Sequence, residues 1–321
     1  MDDLKISLIV PAYNVERYVG ECLQSICSQT WQNWEAVVID DGSSDGTGRI
    51  CDLWQEFDHR VHVYHIANGG VSAARNAALK LVTGEIVGFA DADDRLPHTA
   101  FERIAGHFMQ SPSLSAVFAG HRRMDESGRI TETRQGKPFA GADGRAAAGM
   151  TLEQGRDSYL GVLWNKYFRR DCLIRDGQPA VFSTDYRIGE DQVWLLEVCR
   201  GLQSVEAETE PVYDYRIRGG SAVHADISAE ARRSEILARR EMVELTRRYY
   251  PEYTAAAALK YRTCMHAAAR TELRRMKPGA AVRAARGYYK DAMAGQLSRK
   301  RRVKETLFQC LYGLLSPGEK E

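Results

Sequence analysis

The chain lacks the long apolar runs of a membrane protein. No stretch of its 321 residues approaches the roughly 18 uncharged apolar residues that span a bilayer. The amino terminus is acidic and continues directly into a strand-like segment, so it shows no signal-peptide pattern. The seven cysteines include no Cys-x-x-Cys pair, which favours reduced structural thiols over a disulfide framework or a zinc site. We therefore expect a globular cytoplasmic protein.

Two common nucleotide-binding motifs are also missing. No Gly-x-Gly-x-x-Gly follows the first predicted strand, which argues against a dinucleotide-dependent oxidoreductase. No Gly-x-x-x-x-Gly-Lys-Ser/Thr loop is present either, which argues against a P-loop NTPase. Neither of these two phosphate-binding motifs is therefore expected in this chain.

A net charge of +1 conceals an acidic body and a basic tail. Residues 231–321 contain 21 Lys and Arg against 9 Asp and Glu, whereas residues 1–230 contain 23 against 34. Within the tail, residues 282–315 mix basic side chains with aromatic and leucine side chains, which is typical of a basic amphipathic surface. The pattern predicts either peripheral binding to the anionic cytoplasmic face of a membrane or a solvated helical bundle or oligomer face. Nucleic acid is not an expected partner, because no nucleic-acid-binding module is visible.

The first 120 residues alternate between strand-like and helix-like patterns. Short apolar runs with β-branched residues occur at 6–10, 36–39, 61–66, 86–90 and 116–120, and helical patterns occur between them at 16–28, 45–57, 71–82 and 97–109. This alternation predicts an α/β fold with a mostly parallel, Rossmann-like sheet covered by helices on both faces. The Gly- and Ala-rich stretch 136–149 predicts a mobile connection, and a helical pattern begins at 227.

Polar sequences follow three of the predicted strands. They are Pro11-Ala12-Tyr13-Asn14, a run that begins with Asp40-Asp41-Gly42, and Asp91-Ala92-Asp93-Asp94. Ligands of open α/β sheets bind beyond the carboxyl ends of the strands, so we expect these loops at one edge. Several carboxylates gathered there repel one another unless a cation lies among them, and Mg²⁺ or Mn²⁺ suits oxygen ligands that include phosphate. The alternative is that the acidic turns only cap helices.

Four motifs, taken in order, resemble a known family. They are Val10 to Asn14, the Asp-Asp-Gly-Ser-Ser-Asp-Gly-Thr run that ends at Thr47, the Asn-Gly-Gly-Val-Ser-Ala-Ala-Arg-Asn run over 68–76, and Asp91 to Asp94. Together they resemble the family 2 glycosyltransferases with a GT-A fold. The match is dense over the first 120 residues and sparse afterwards. We predict a GT-A catalytic domain over 1–225, with a nucleotide-sugar-binding half at 1–120 and an acceptor-side half at 150–225, followed by a basic helical region at 226–321.

The resemblance implies an inverting transfer of a sugar from a nucleotide diphosphate donor, commonly UDP, to an acceptor hydroxyl. The expected acceptor is a saccharide or lipid-linked saccharide in the synthesis of a capsule, exopolysaccharide or lipopolysaccharide. A nucleotidyltransferase is one alternative, although such an enzyme would require a Gly-rich basic loop at the position of Pro11 to Asn14. A non-catalytic nucleotide-sugar-binding scaffold is the other, although binding alone needs no base.

The resemblance also assigns roles on the donor side. In the family, residues that match Pro11, Tyr13 and Asp41 hold the nucleoside, and Ala12 and Asn14 belong to the same motif. Arg75 would lie near the diphosphate, unless it forms only a helix-surface ion pair. Asp91-Ala92-Asp93 matches the Asp-x-Asp motif of the family. Asp93 is the leading ligand for Mn²⁺ or Mg²⁺, and Asp91 and Asp94 are the competing candidates.

On the acceptor side, Asp191 matches the catalytic base of the family. A carboxylate opposite the leaving group can accept the proton of the acceptor hydroxyl. Asp191 could instead only interact with the helix dipole, and Glu190 is an alternative base. Arg216 and Arg218 would close over the diphosphate, where His224 would join them, bind the metal or be incidental. Trp164-Asn165-Lys166 would border the acceptor pocket, unless Trp164 is part of the core.

Overall fold

The strand–helix alternation of the sequence forms a mostly parallel sheet with helices on both faces. A computed structural model describes residues 4–152, 161–175, 177–218 and 228–275. The strands are β1 (Ile6–Ala12), β2 (Trp34–Asp40), β3 (Val61–His65), β4 (Ile86–Phe89), β5 (Ala116–Met124), β6 (Ile130–Arg134), β7 (Lys166–Arg169), β8 (Ile174–Arg175), β9 (Gln178–Pro179) and β10 (Val205–Arg216). The α-helices are α1 (Val19–Cys27), α2 (Thr47–Phe57), α3 (Val71–Leu79), α4 (Ala100–Gln110), α5 (Gly144–Leu152), α6 (Glu190–Cys199), α7 (Ala229–Tyr249) and α8 (Thr254–Arg275).

One sheet contains eight of the strands in the described residues, in the order β10-β5-β7-β4-β1-β2-β3, with β6 paired to β5. Strand β1 runs parallel to β2 and β4, and β10 runs parallel to β5. Strand β7 lies antiparallel between β4 and β5, so these two strands are parallel to each other. The carboxyl ends of β1, β2, β4 and β10 therefore reach the same edge of the sheet.

Successive side chains of the central strands point alternately into two apolar cores, one on each face of the sheet. Leu8 and Val10 of β1 lie in one core with Phe101 of α4, whereas Ile9 lies in the other with Trp194 of α6. Successive side chains of a strand point to opposite faces, so a strand covered on both sides reads as a continuous apolar run. Burial of each such large side chain contributes about 2 kcal/mol. The predicted α/β architecture is confirmed.

Residues 136–149 differ from the expected mobile connection. Helix α5 begins at Gly144, and the preceding residues lie along β10. Ala142 N donates to Val205 O at 3.2 Å and Val205 N donates to Ala142 O at 2.7 Å, while Ala207 N donates to Phe139 O. A β-carbon at Gly144 would collide with the carbonyl group of Cys199. The small residues therefore permit close packing in this stretch.

The helical pattern predicted from residue 227 continues through α7 and α8, which pack against each other, while α7 also packs on α6. About half of the basic tail, residues 276–321, lies outside the described residues. Within the part of the chain that the structure describes, no helix is both long enough and apolar enough to cross a membrane. The six cysteines in those residues form no disulfide with one another.

Candidate active site

The loops after β1 and β2 are joined through Asn14. This residue has a φ of 50°, in the left-handed region that Asn tolerates better than most residues. Its Oδ1 accepts a hydrogen bond from Ser44 N at 2.8 Å, and its own N donates to Ser43 Oγ at 3.1 Å. Pro11 and Ala12 end β1 beside Ile39 and Asp40 of β2. The side chain of Tyr13 projects from this junction and is half exposed, so an aromatic face is available beside the loop.

Asp41 holds the next loop with both carboxylate oxygens. Oδ1 accepts from Gly69 N and Oδ2 accepts from Gly70 N, each at 2.8 Å. Asn68 Nδ2 donates to the Asp41 carbonyl at 3.0 Å. Gly42 has a φ of +69°, and a β-carbon there would lie 2.8 Å from Asn68 N, so the close approach requires glycine. The buried Asp41 carboxylate therefore organises residues 68–70, a role that the motif alone does not reveal.

Arg75 connects the Asp-x-Asp loop to the start of α6. This nearly buried residue of α3 donates from Nη1 to Glu190 Oε1 at 2.9 Å, and its Nη2 lies 3.5 Å from Asp91 Oδ1. Its Nε is buried and has no hydrogen-bond partner within the described residues. The surrounding carboxylates, Glu190 and Asp91 foremost, raise the pKa of the Arg75 guanidinium against the opposing effect of burial. Arg75 is therefore more than a helix-surface ion pair, because it brings two other predicted site residues, Glu190 and Asp91, together.

The three carboxylates of the loop after β4 have different surroundings. Asp94 is buried, and its oxygens accept from Tyr213 Oη at 2.7 Å and from Arg216 N at 2.7 Å. Burial, with Asp93 and Asp91 nearby, raises the pKa of Asp94 well above its usual range. Asp93 instead pairs with Arg218 Nε at 2.6 Å. Tyr213 Oη also accepts from Asp91 N at 2.9 Å, so this tyrosine, which sequence reasoning missed, holds both ends of the loop.

Arg216 and Arg218 have different surroundings in the structure. The Arg216 side chain is 1% exposed, and its guanidinium donates to Glu21 Oε2 at 2.6 Å, Asp93 O at 2.8 Å and Glu126 O at 3.0 Å. This placement departs from the expectation that Arg216 closes over a diphosphate. Its buried guanidinium instead hydrogen-bonds to the loop after β4 through the Asp93 carbonyl. The Arg218 side chain is more exposed, at 25%. His224 lies outside the described residues.

Asp191 lies at the second position of α6, next to the Arg75–Glu190 ion pair. Its Oδ1 accepts from Gln192 N at 2.7 Å. Burial, followed by the neighbouring charge of Glu190, raises the pKa of Asp191 to about 7. A carboxylate with a pKa near neutrality is suited to accepting a proton. Glu190, by contrast, already has one oxygen paired with Arg75, which makes Asp191 the better placed of the two candidate bases.

Trp164-Asn165-Lys166 lies inside the protein. Trp164 stacks on Tyr213 and Tyr215, with ring centroids 4.6 Å and 5.5 Å away. Lys166 is fully buried and donates from Nζ to Val162 O at 2.7 Å and Asn165 Oδ1 at 2.8 Å. Burial lowers the pKa of Lys166 to about 7. These contacts favour the core interpretation of Trp164 over a place bordering the acceptor pocket.

The carboxylates fit a divalent cation only together with other oxygen ligands. Among the residues that the structure describes, no three His, Cys, Asp or Glu side chains are arranged as a metal site by themselves. Burial, with Asp93 and Glu190 nearby, raises the pKa of Asp91 to about 6, which reflects a crowding of negative charge that a cation would offset. Mg²⁺ is commonly bound by one or two carboxylates plus substrate phosphates. Asp91 and Asp93 suit this pattern.

Comparison with known proteins establishes the class. The family described as Glycosyl transferase family 2 matches residues 7–173, which is more than half of the chain. The chain therefore belongs to glycosyl transferase family 2, and the protein is a glycosyltransferase. This family membership sets aside both the nucleotidyltransferase and the non-catalytic scaffold.

Two bacterial relatives illustrate the similarity. The chain is 28% identical over 255 residues to the uncharacterized glycosyltransferase EpsJ of Bacillus subtilis (strain 168), which covers 79% of this chain and 72% of EpsJ. It is 34% identical over 124 residues to TuaG of the same organism, a glycosyltransferase named for teichuronic acid biosynthesis, which covers 38% of this chain and 49% of TuaG. The chain thus spans most of EpsJ and about half of TuaG.

Solved structures show the same fold. Residues 1–349 of S. aureus TarS in complex with UDP-GlcNAc match with a TM-score of 0.63 at 17% identity, covering 99% of this chain and 93% of that one. The mannosyltransferase PcManGT from Pyrobaculum calidifontis, in complex with GDP-Man and Mn²⁺, matches with a TM-score of 0.54 at 20% identity, covering 98% and 88%. The predicted GT-A fold is confirmed.

Proposed function

We propose that this glycosyltransferase moves a sugar from a nucleotide-sugar donor, a UDP-sugar by preference, to a saccharide or lipid-linked saccharide hydroxyl with inversion of configuration. The observation that carries the proposal is the Arg75 bridge, which joins Glu190 at 2.9 Å and Asp91 at 3.5 Å. It puts the candidate base, Asp191, beside the loop proposed to hold the donor diphosphate. The proposed diphosphate-binding residues and the candidate base would then lie at one edge of the sheet.

The donor side is proposed to bind the nucleotide through Pro11, Ala12, Tyr13, Asn14 and Asp41. The exposed ring of Tyr13 offers a stacking surface for a nucleobase. Each Asp41 oxygen accepts one backbone N–H, and a carboxylate oxygen has capacity for a further hydrogen bond, such as one from a nucleobase N–H. The UDP-GlcNAc in TarS and the GDP-Man in PcManGT support a nucleotide-sugar donor.

At the diphosphate, Arg75 and Arg218 are the proposed cationic contacts. The Arg75 guanidinium already borders the Asp-x-Asp loop, with Nη2 3.5 Å from Asp91 Oδ1. We favour Arg218 over Arg216, because only Arg218 has a partly exposed side chain. Asp93 and Asp91 would hold Mn²⁺ or Mg²⁺, whose charge would offset the negative charge that develops on the departing diphosphate. Asp94 is less suited, because both its oxygens are hydrogen-bonded within the protein.

In the proposed step, Asp191 accepts the proton of the acceptor hydroxyl. The acceptor oxygen forms a bond to the anomeric carbon as the bond from that carbon to the diphosphate oxygen breaks. The bonding electron pair leaves with the nucleoside diphosphate. Because the hydroxyl attacks from the side opposite the leaving group, the anomeric configuration inverts. Glu190 positions Arg75 during this step.

A donor panel tests the proposal. The purified protein is incubated with Mn²⁺ and a series of UDP-sugars and GDP-sugars, and nucleoside diphosphate release is followed with and without saccharide acceptors. We expect release from a UDP-sugar that a saccharide acceptor accelerates, and NMR of the product should show inversion. Retention of configuration would contradict the role of Asp191, and activity confined to GDP-sugars would contradict the donor assignment.

The second part of the proposal concerns location. The name of TuaG supports a place in surface polysaccharide synthesis, and the basic tail supports peripheral binding to the cytoplasmic face of a membrane. Flotation of the full-length protein with vesicles tests this. We expect recovery with anionic vesicles at low salt, little recovery at high salt, and little with neutral vesicles. Equal flotation with neutral and anionic vesicles would contradict electrostatic anchoring.

A further inference from the structure

The C-terminal helices bring two cations to the neighbourhood of Asp191. On α7, Arg239 donates from Nη1 to Oε1 of Gln192, the residue that follows Asp191. A β-carbon on Gly189, just before α6, would lie 3.1 Å from the β-carbon of Ala238. Helix α7 therefore packs directly over the turn that carries the candidate base. On α8, the second cation is Lys260, and the charge of Asp191 contributes to its pKa.

Lys260 is buried without a counterion in the described part of the chain. The residue is 8% exposed. Its Nζ donates to Thr151 O at a long 3.4 Å, and none of the described carboxylates lies within ion-pair distance. Burial, together with Arg239, lowers the pKa of Lys260 to about 8, so the ammonium is still mostly protonated at pH 7. Burying a charge without a partner is costly, and a bound anion would offset that cost.

Arg239 is also incompletely neutralised. Its acidic neighbour is Glu235, whose Oε1 lies 3.7 Å from Nη2, near the upper limit for an ion pair. Arg239 opposes the rise that burial causes in the pKa of Asp191, and Asp191 opposes the fall that burial causes in the pKa of Lys260. Two cations from α7 and α8 thus lie within electrostatic range of the group that would receive the proton of the acceptor.

We propose that Arg239 and Lys260 bind an anionic group of the acceptor, located within a few bonds of the attacking hydroxyl. The inference rests on the proposed function, because Asp191 determines where that hydroxyl lies. A guanidinium can bind two oxygens of one anion, and an ammonium adds a point charge. The chemistry required is a phosphate ester, the diphosphate of a lipid-linked saccharide, or the carboxylate of a uronic acid.

Matched acceptors test this inference and separate the sources of the anion. Each pair differs only in charge: a saccharide phosphodiester and its neutral glycoside, a uronate and its methyl ester, and a lipid-diphosphate-linked saccharide and the free saccharide. We expect the full-length enzyme to show a higher kcat/KM for the anionic member of one pair. Loss of one charged hydrogen-bond partner in Lys260→Met should reduce that preference roughly tenfold, and Lys260→Arg should restore most of it.

The exposed Arg247, on α7 with Arg239 and paired with Glu244 at 2.7 Å, provides the control, since Arg247→Gln should keep the preference. If Lys260→Met lowers kcat/KM equally for both members of a pair, the cation acts only on Asp191 and the inference is wrong. Absence of any preference for an anionic acceptor would also overturn it.

A binding measurement distinguishes failure of this inference from failure of the proposed function. Sulfate at constant ionic strength should raise the melting temperature of the wild-type protein, raise that of Arg247→Gln equally, and raise that of Lys260→Met much less. This readout requires no turnover. Equal shifts in all three proteins would overturn the anion site, even if transferase activity is found. Selective sulfate binding without any donor turnover would contradict the proposed reaction while leaving the anion site in place.

Discussion

Two buried carboxylates of the proposed donor side, Asp41 and Asp94, are held differently from Asp191, the candidate base. Asp41 and Asp94 each have both oxygens hydrogen-bonded by neutral N–H or O–H donors. Asp191 has one hydrogen bond, from the backbone N of the next residue, within the described chain, and its other influences are charges on Glu190, Arg75 and Arg239. The first arrangement fixes a loop, whereas the second leaves an oxygen available to take up a proton.

The largest expected effect is on the base side. Asp191→Asn removes the proposed proton acceptor, so transfer should fall about 10³-fold, within the range for loss of a general base, while UDP affinity measured by calorimetry changes little. Glu197→Gln, further along α6 and paired with Arg200, is the matched control and should retain activity. Wild-type turnover in Asp191→Asn would assign the proton to another group.

On the donor side, the largest effect should be on stability. Arg216→Met removes a buried guanidinium that joins Glu21 to the Asp93 carbonyl. Loss of this guanidinium and its hydrogen bonds to Glu21, Asp93 O and Glu126 O should lower the free energy of unfolding by about 3 kcal/mol, measured by urea denaturation. Arg218→Met, which breaks a more exposed pair, should cost about 1 kcal/mol or less. Equal losses would refute the distinction between the two arginines.

Tyr213→Phe tests the hydrogen bonds that hold the same loop. The variant removes the hydroxyl that donates to Asp94 and accepts from Asp91 N, so unfolding should become easier by about 2 kcal/mol, because buried polar groups lose their partner. Tyr64→Phe, on the edge strand β3 and partly exposed, should change stability by less than about 0.5 kcal/mol. A neutral result for Tyr213→Phe would mean that the loop is held elsewhere.

The smallest expected effect is a pH dependence. Since burial and Glu190 raise the pKa of Asp191 to about 7 in the free protein and only the ionised carboxylate can accept a proton, kcat/KM should fall about tenfold per pH unit below that value. Above it, the rate should level off. The residual activity of Asp191→Asn should lack this inflection, and an inflection that persists in the variant would identify a different titrating group.

Much of the donor side could be predicted from the sequence, because local patterns determine it. The apolar strands are continuous and end at polar motifs, so Asp41 and Asp91 could be predicted at the carboxyl edge of the sheet from the sequence alone. The contacts that distinguish Asp94 from Asp93 could not be predicted. Asp94 depends on Tyr213 and Arg216, which lie about 120 residues later in the chain, and no local period reveals such a pairing.

The insertion of β7 between β4 and β5 was equally hidden, since Lys166–Arg169 is only four residues long. The core position of Trp164 and the support from Glu21 follow from contacts between distant segments. Asp191, in contrast, was predicted as the candidate base from its motif, and that role stays a prediction, whereas its proximity to Arg75 required the fold. The contacts that sequence reasoning missed are therefore mainly those of long-range packing.

The uninterrupted sheet also has a mechanical consequence. Backbone hydrogen bonds continue strand by strand from β3, at one end of the sheet, through β7 to β10, which carries Arg216 at the other end. A hinge between the two ends of this sheet would have to break a ladder of such bonds, unlike a hinge through a linker. Substrate-driven closure should therefore come from connections between strands, and the separation between Asp41 and Asp94 should stay constant through the catalytic cycle.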